Sequence, residues 1–308
     1  MAGHAQQAAK APRVGVLFPG PQAALAPRIE ALKDGLRSAG YPQPERIEFV
    51  LRAAEGDQSR IAPLATELLK SNVDIILAIA APAMQALRSS TKTFPIVALD
   101  LETDPVAAGL AASLARPGGN VTGTFFDFPD FTAKWFELLK EIIPKLSRVT
   151  VLWDPATGQT QIRAVNGAAR KLGIKLQVLE VRKPSETGSA FVSAMKQSAQ
   201  AMVILSSPLF GTSTPELAQL ALRHKLPAIT LFPAFAREGG LLAYGPNLMA
   251  SWRQTGVMVG KVLKGAKPAE LPIELPSKYE LVVNLRTAKT LRLSIPNSIL
   301  VRADEVIE

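Results

Sequence analysis

The chain has no cysteine and only two histidines, His4 and His224. Without cysteine there can be no disulfide, no thiol nucleophile, no thiolate metal site and no lipobox residue to carry a lipid anchor. His4 lies in the leader. His224 sits beside Lys225 at an expected helix end, where a cation suits the helix dipole, so no histidine-based acid–base pair can be assembled. No G-x-G-x-x-G follows a strand and no Walker motif occurs, which removes the usual fingerprints of dinucleotide and nucleotide enzymes. The longest apolar runs, such as IILAIAAPAM at residues 75–84, are too short to cross a bilayer. Carboxylates at Glu102, Asp104, Asp127 and Asp130 could in principle hold a divalent cation, but their neighbours read as helix caps and solvated turns. The expectation is therefore a protein without catalytic residues, metal or cofactor.

A formal charge of +9 invites a nucleic-acid reading. Against it, the basic residues are scattered, no run of five like charges occurs, and no helix-turn-helix precedes the first strand. A scattered basic surface serves solubility and weak steering toward acidic surfaces, so no nucleic-acid partner is expected. The opening residues, MAGHAQQAAKAP, are small and polar and read as the tail of a secretory leader whose apolar part is missing from this chain, which predicts a periplasmic protein. Asn120-Val121-Thr122 is a glycosylation sequon by pattern only, within an RPGGN turn.

What the chain does have is a repeat. RVGVLFPG at residues 13–20 is answered by RVTVLWDP at 148–155, LRSAG at 36–40 by ARKLG at 169–173, VDIILAIAAP at 73–82 by AQAMVILSSP at 199–208, and TFPIVALD at 93–100 by KLPAITLFP at 225–233. An offset of about 135 residues is one small domain repeated, not a solenoid unit. Each copy alternates apolar runs of strand length with amphipathic helices of 10 to 15 residues, the pattern of a parallel sheet with right-handed crossovers. With 308 residues and 47% hydrophobic content, two lobes are the reasonable division.

The stretch at 100–126 reads as a crossover between the lobes, with a hinge near residues 118–126, and a helix at 131–143 follows, stopped by Pro144. After the second copy come a short strand at 241–244, a long helix at 248–263, a proline-broken return, and a strand and short helix within 280–291. This tail can pass back between the lobes, adding a helix to the first and a strand to the second. The expected division is 11–122 plus 246–275 for one lobe and 124–244 plus 277–308 for the other.

In open parallel sheets a ligand lies beyond the carboxyl ends of the strands. Rings are concentrated there although aromatics make up only 6% of the chain. Phe18 and Trp153 end equivalent first strands, Phe125 and Phe126 lie on the crossover, and Phe210, Phe232 and Tyr244 follow later strands. Concave sites are mostly apolar and aromatic with a few placed polar groups, here Gln22, Glu102, Thr103, Asp154, Ser206 and Ser207. Pro19, Gly20, Ala81, Pro82 and Leu101 complete the set, the small residues admitting a ligand to the backbone and helix N-termini after Pro82 and Ser207 offering N–H groups to a carboxylate. Asp104, before Pro105, reads as a cap. Phe18 and Trp153 are expected to face one another across the cleft.

Four segments carry a resemblance: TDPVAAGLAASLARPGGNVTG at 103–123, GGLLAYGPN at 239–247, KVLKGAKPAELPIE at 261–274 and YELVVNLRTAKTLRLSIPNSILVRADEVIE at 279–308. In that order they resemble signature segments of the ABC-transporter substrate-binding proteins grouped with the tryptophan/tyrosine-type uptake systems, and the likeness runs from Arg13 to Glu308. The resemblance implies a type I periplasmic-binding fold, with two Rossmann-like lobes joined by a hinge and a ligand enclosed between them. It also implies a monomer that captures a small aromatic solute and delivers it to an importer permease in the inner membrane. Pro19, Pro21 and Phe125-Phe126-Asp127 depart from the family pattern, so a plain aromatic acid stands beside an aromatic amino acid as the expected ligand. The alternatives are an enzyme or a ligand-sensing domain on the same scaffold. A cofactor fingerprint would favour the first and a fused DNA-binding or signalling segment the second.

Overall fold

The computed structural model describes residues 11–41, 43–126 and 128–308, with side chains at all of these except 128–130. His4, Asp127 and the Asp130 side chain thus lie outside the described residues. The first sheet is built from β1 (Arg13–Phe18), β2 (Glu48–Ala53), β3 (Ile75–Ile79), β4 (Ile96–Asp100) and β5 (Val121–Phe125), interleaved with α1 (Leu25–Ser38), α2 (Ile61–Lys70) and α3 (Ala80–Ser90). After α4 (Phe128–Ile142) the pattern restarts with β6 (Arg148–Trp153), α5 (Thr160–Lys171), β7 (Lys175–Glu180), α6 (Thr187–Lys196), β8 (Ala201–Ile204), α7 (Pro208–Thr212), α8 (Thr214–Arg223), β9 (Ala228–Thr230), α9 (Pro233–Arg237) and β10 (Leu242–Pro246). The tail supplies α10 (Leu248–Leu263), β11 (Tyr279–Asn284), α11 (Leu285–Thr290), α12 (Asn297–Leu300) and β12 (Glu305–Ile307).

Strand order exposes the repeat in space. The first sheet runs β2-β1-β3-β4-β5, all parallel, and the second runs β12-β11-β10-β9-β8-β6-β7, whose segment from β7 to β10 copies the first. The wholly apolar sequence of β3 is buried at every position, as a central strand covered on both faces requires. β11 joins antiparallel to β10, and β12 pairs parallel with β11.

β5 corrects the reading of residues 100–126 as crossover throughout. It pairs in register with β4, Asp100 opposite Phe125, so the crossing begins only after Phe125. Its outer edge is covered by the proline-broken return, where Phe125 N–H donates to the Glu274 carbonyl at 3.0 Å and Glu274 N–H to the Gly123 carbonyl at 2.9 Å. The RPGGN turn keeps Asn120 for structure, its Nδ2 donating to the Phe94 carbonyl at 2.7 Å.

The chain passes between the two sheets three times: after Phe126, from β10 into α10, and between the return and β11. A ring lies at each passage. Phe126, Tyr244 and Tyr279 gather around Phe131 of α4, with ring centroids 4.4, 5.2 and 6.0 Å from it. Trp135, one turn further along α4, donates its indole N–H to the Tyr244 carbonyl at 2.8 Å.

α10 returns from the second sheet to pack along α1 in the first lobe, and the contact is close because two glycines face it. A Cβ added at Gly35 would stand 1.9 Å from the Arg253 carbonyl oxygen, and one at Gly256 would stand 2.1 Å from that of Leu32. Both obstacles are backbone, so the helices would have to separate. Gly256→Ala is therefore expected to lower stability by roughly 1–3 kcal/mol through overpacking. Thermal denaturation checks this; an unchanged melting temperature would mean the helices do not meet as closely as described.

Candidate functional site

A cavity of about 590 Å³ lies between the lobes, within the usual size range of small-molecule sites. It sits at the carboxyl ends of β1, β3 and β4 on one side and of β8 and β9 on the other, where open α/β sheets bind ligands. The first lobe contributes Phe18, Pro19, Gly20, Pro21, Ala24 and Arg28 from β1 into α1, Ile79 and Ala80 after β3, and Leu99, Leu101 and Glu102 after β4. α10 adds Leu248, Met249 and Trp252. The second lobe contributes Ser206, Ser207, Pro208, Gly211 and Thr212 from β8 into α7, and Phe232, Pro233, Ala234 and Arg237 from β9 into α9. Asn247 and Glu280, at the second and third passages, also line it.

Of the sequence-expected residues, Phe18, Pro19, Gly20, Leu101, Glu102, Ser206, Ser207 and Phe232 line this cavity together. The others do not. Gln22 is exposed, its N–H donating to Glu55 Oε1 at 3.0 Å in a surface turn. Pro82 is buried within α3, and Ala81 reaches the site only through its N–H, which donates to Glu102 Oε2 at 3.0 Å. Thr103 lines a separate, smaller cavity on the far side of Glu102. Phe125 is fully buried in the core of the first lobe and Phe210 in that of the second, while Phe126 and Tyr244 belong to the ring stack at the passages.

Trp153 needs its own correction, because it does not face Phe18 across the cavity. The turn after β6, capped by Asp154 through Ala156 N–H at 2.9 Å, brings the Gly158 carbonyl to the indole N–H at 3.1 Å. The ring is thereby held in the core and is not among the residues lining the cavity. Asp154 is consumed in the same turn and accepts the Ser207 hydroxyl at 2.6 Å.

The polar centre of the site is a contact between lobes. The Ser206 hydroxyl donates to Glu102 Oε1 at 2.5 Å, so the residue after β8 holds the residue after β4. Ser206 is itself fixed by Gln161, whose Nε2 donates to the Ser206 carbonyl at 2.8 Å while its Oε1 accepts the Ser206 N–H at 2.8 Å. Nearby, Gln85 Nε2 reaches the Ala156 carbonyl at 3.4 Å, a second bond between the lobes. Glu102 is 4% exposed and stands beside Asp100, which is wholly buried and accepts the N–H groups of Glu102 and Thr103. Burial, with the Asp100 charge adding to it, pushes the Glu102 carboxyl up to about 8. Ala80, between β3 and α3, holds φ at +66°, a strained conformation for a residue with a side chain, in the cavity wall.

Residues missed by sequence reasoning come mainly from helices. Trp252, Leu248 and Met249 arrive on α10 from far along the chain, and Arg28 and Arg237 lie a turn or more inside α1 and α9. Asp104 is the cap it was expected to be, accepting the N–H groups of Val106 and Ala107 at 3.0 Å each. His224 ends α8, with its ring stacked on Phe191 at 6.0 Å. Among the described residues no group of three or more histidines and carboxylates could hold a metal ion.

Two repeated parallel-sheet lobes with a cavity between their strand ends define a solute-binding protein of the type I periplasmic-binding architecture. The chain belongs to the ABC transporter substrate-binding protein family, whose model matches residues 13–307; this is a family of binding proteins rather than enzymes. A "Tyrosine-binding protein" of Clostridioides difficile (strain R20291) is 27% identical over 259 residues, covering 82% of this chain and 73% of that protein. An ABC domain in complex with L-Trp, from Streptococcus pneumonia, superposes with a TM-score of 0.86 at 29% identity, over 96% of this chain and 99% of that one. A ligand-free, open structure of a substrate-binding protein with adhesive properties, from Clostridium difficile, superposes with a TM-score of 0.68 at 25% identity, again over 96% and 99%.

The carboxyl of Glu102 makes stability depend on pH with a definite sign. Its folded value, about 8, lies above its ordinary 4.5, so the folded state binds the proton more tightly. The contribution is full below the unfolded value and is lost as pH rises through the folded one. Melting temperature is expected to fall between ~pH 5 and ~pH 8.5, and to fall less in Glu102→Gln. Parallel curves for the two proteins would show that Glu102 is ionised throughout.

Proposed function

We propose that the protein works as a monomer in the periplasm, captures a small aromatic solute between its lobes, and presents it to the permease of an ABC importer in the inner membrane. The observation that carries the aromatic reading is the cavity wall, where Phe18, Trp252 and Phe232 bring rings from both lobes to one space. Stacking and burial of a ligand ring are worth most where water is excluded, and two relatives bear the names of tyrosine and tryptophan as ligands. The lobes we propose are 11–125 with 246–275, and 128–244 with 277–308. The extension of the first to residue 125 follows β5, and the assignment of α10 follows its packing on α1.

Capture proceeds by hinge closure, with bound solute favouring the closed state. Two observations support a closed arrangement here. Ser206 and Glu102 bridge the lobes directly. The tryptophan complex superposes better than the open, ligand-free relative at the same coverage, as a rotation of one lobe would produce.

The first test is native mass spectrometry of freshly purified protein, where a co-purified aromatic molecule is expected, followed by calorimetric titration of aromatic amino acids and aromatic acids. Phe232→Ala should weaken binding by roughly 10- to 100-fold through lost stacking and burial. Trp153→Ala should leave affinity unchanged while costing about 3–5 kcal/mol of stability, because that ring belongs to the core. The opposite pattern, with affinity lost at Trp153 and kept at Phe232, would move the ligand out of this cavity.

A further inference from the structure

The cavity contains two arginines in different circumstances. Arg237 of α9 is occupied: its guanidinium grips Glu305, with Nε at 3.0 Å and Nη2 at 2.6 Å from Oε2. Arg28 of α1 is not. Among the described residues no carboxylate lies within ion-pair distance of it, and its Nη1 is buried without a hydrogen bond. Its guanidinium stands over the Phe18 ring, 5.0 Å from the centroid, a cation–π contact that orients the group without neutralising it. Burial alone pulls the proton affinity of this group below its usual value.

A half-buried cation with a buried donor left unmet is costly unless an anion comes to it. The acids of the cavity do not. Glu102 is engaged by Ser206 and the Ala81 N–H, and Glu280 accepts Asn247 Nδ2 at 3.1 Å. The geometry points to a carboxylate on the solute: we propose that Arg28 is the anion anchor of this cavity and that its ligands are aromatic carboxylates, not neutral or cationic rings. A planar guanidinium presents parallel N–H donors that match both oxygens of a carboxylate. An anchor above Phe18 also sets the ligand ring at the aromatic wall, so charge and stacking are read together. The inference rests on the cavity being the solute site, and it concerns the solute's charge, which ring stacking leaves undetermined.

Calorimetry with four probes tests it: L-tryptophan, indole-3-propionate, tryptamine and hexanoate, on the wild type, Arg28→Ala and Arg28→Lys. At least one of the two indole carboxylates should bind, and which one does separates an amino acid from a plain acid. Tryptamine should bind weakly or not at all. Arg28→Ala should weaken the bound carboxylate by roughly 10- to 150-fold, the range for a hydrogen bond to a charged group, and Arg28→Lys should recover part of the loss. Because Arg28 has no ion pair among the described residues and its charge is partly desolvated, the lost cation–π contact with Phe18 is offset and Arg28→Ala should melt close to the wild-type temperature. Tryptamine binding as tightly as the acids, or acids binding Arg28→Ala unchanged, would overturn the anchor and leave the ring cavity standing. Hexanoate binding that depends on Arg28, with no indole compound bound, would keep the anchor and sink the aromatic reading. Failure of all three acids to bind would overturn both.

Discussion

Three passages of the chain between two sheets, gathered on one cluster of rings, are the constraint on which the rest of the molecule depends. Phe126, Tyr244 and Tyr279 arrive on separate passages and meet Phe131 of α4, while Trp135 ties α4 to the backbone of β10. Asn247 joins two of these passages again, its N–H donating to the Lys278 carbonyl and its side chain to Glu280. Three strands fixed side by side resist independent translation of the lobes and leave rotation as the soft motion. The cavity lies between the carboxyl ends of the two sheets, and the Glu102–Ser206 bond spans it, so the proposed rotation would break that bond on opening.

Enclosure also sets the chemistry of the site. Glu102 lies out of water beside Asp100, with Ser206 against it from the other lobe, which is why its carboxyl holds a proton far above the ordinary range. Arg28 is partly withdrawn from water in the same cavity, its Nη1 unpaired and its charge without a carboxylate partner among the described residues. The wall therefore combines apolar rings with one unmatched cation, and a solute bearing both a ring and a carboxylate answers both features at once.

The fold was legible because its signals are local. A run such as β3 is apolar at every position because both faces are covered, and the 135-residue offset survives in the sequence because each lobe must rebuild the same β-α alternation. The short helix α9 and the edge strand β5 were not legible, since their roles depend on what lies above them. The site was half legible for the same reason. Position at a strand end identified Phe18, Glu102, Ser206 and Phe232, but it could not tell a ring left facing the cleft from one folded into the core, as the Asp154 turn does to Trp153. Trp252 and Arg28 lie on helices, where periodicity marks a buried face without saying what the face meets.

Rotation about the passages is the central claim, and small-angle X-ray scattering reads it most directly. The protein should first be unfolded, freed of any carried solute and refolded, then measured alone and with an aromatic carboxylate at saturation. The account predicts a smaller radius of gyration and a narrower distance distribution in the bound form, because closing the lobes shortens the molecule across the cleft. Identical scattering from the two forms, with calorimetry showing the solute bound, would contradict it.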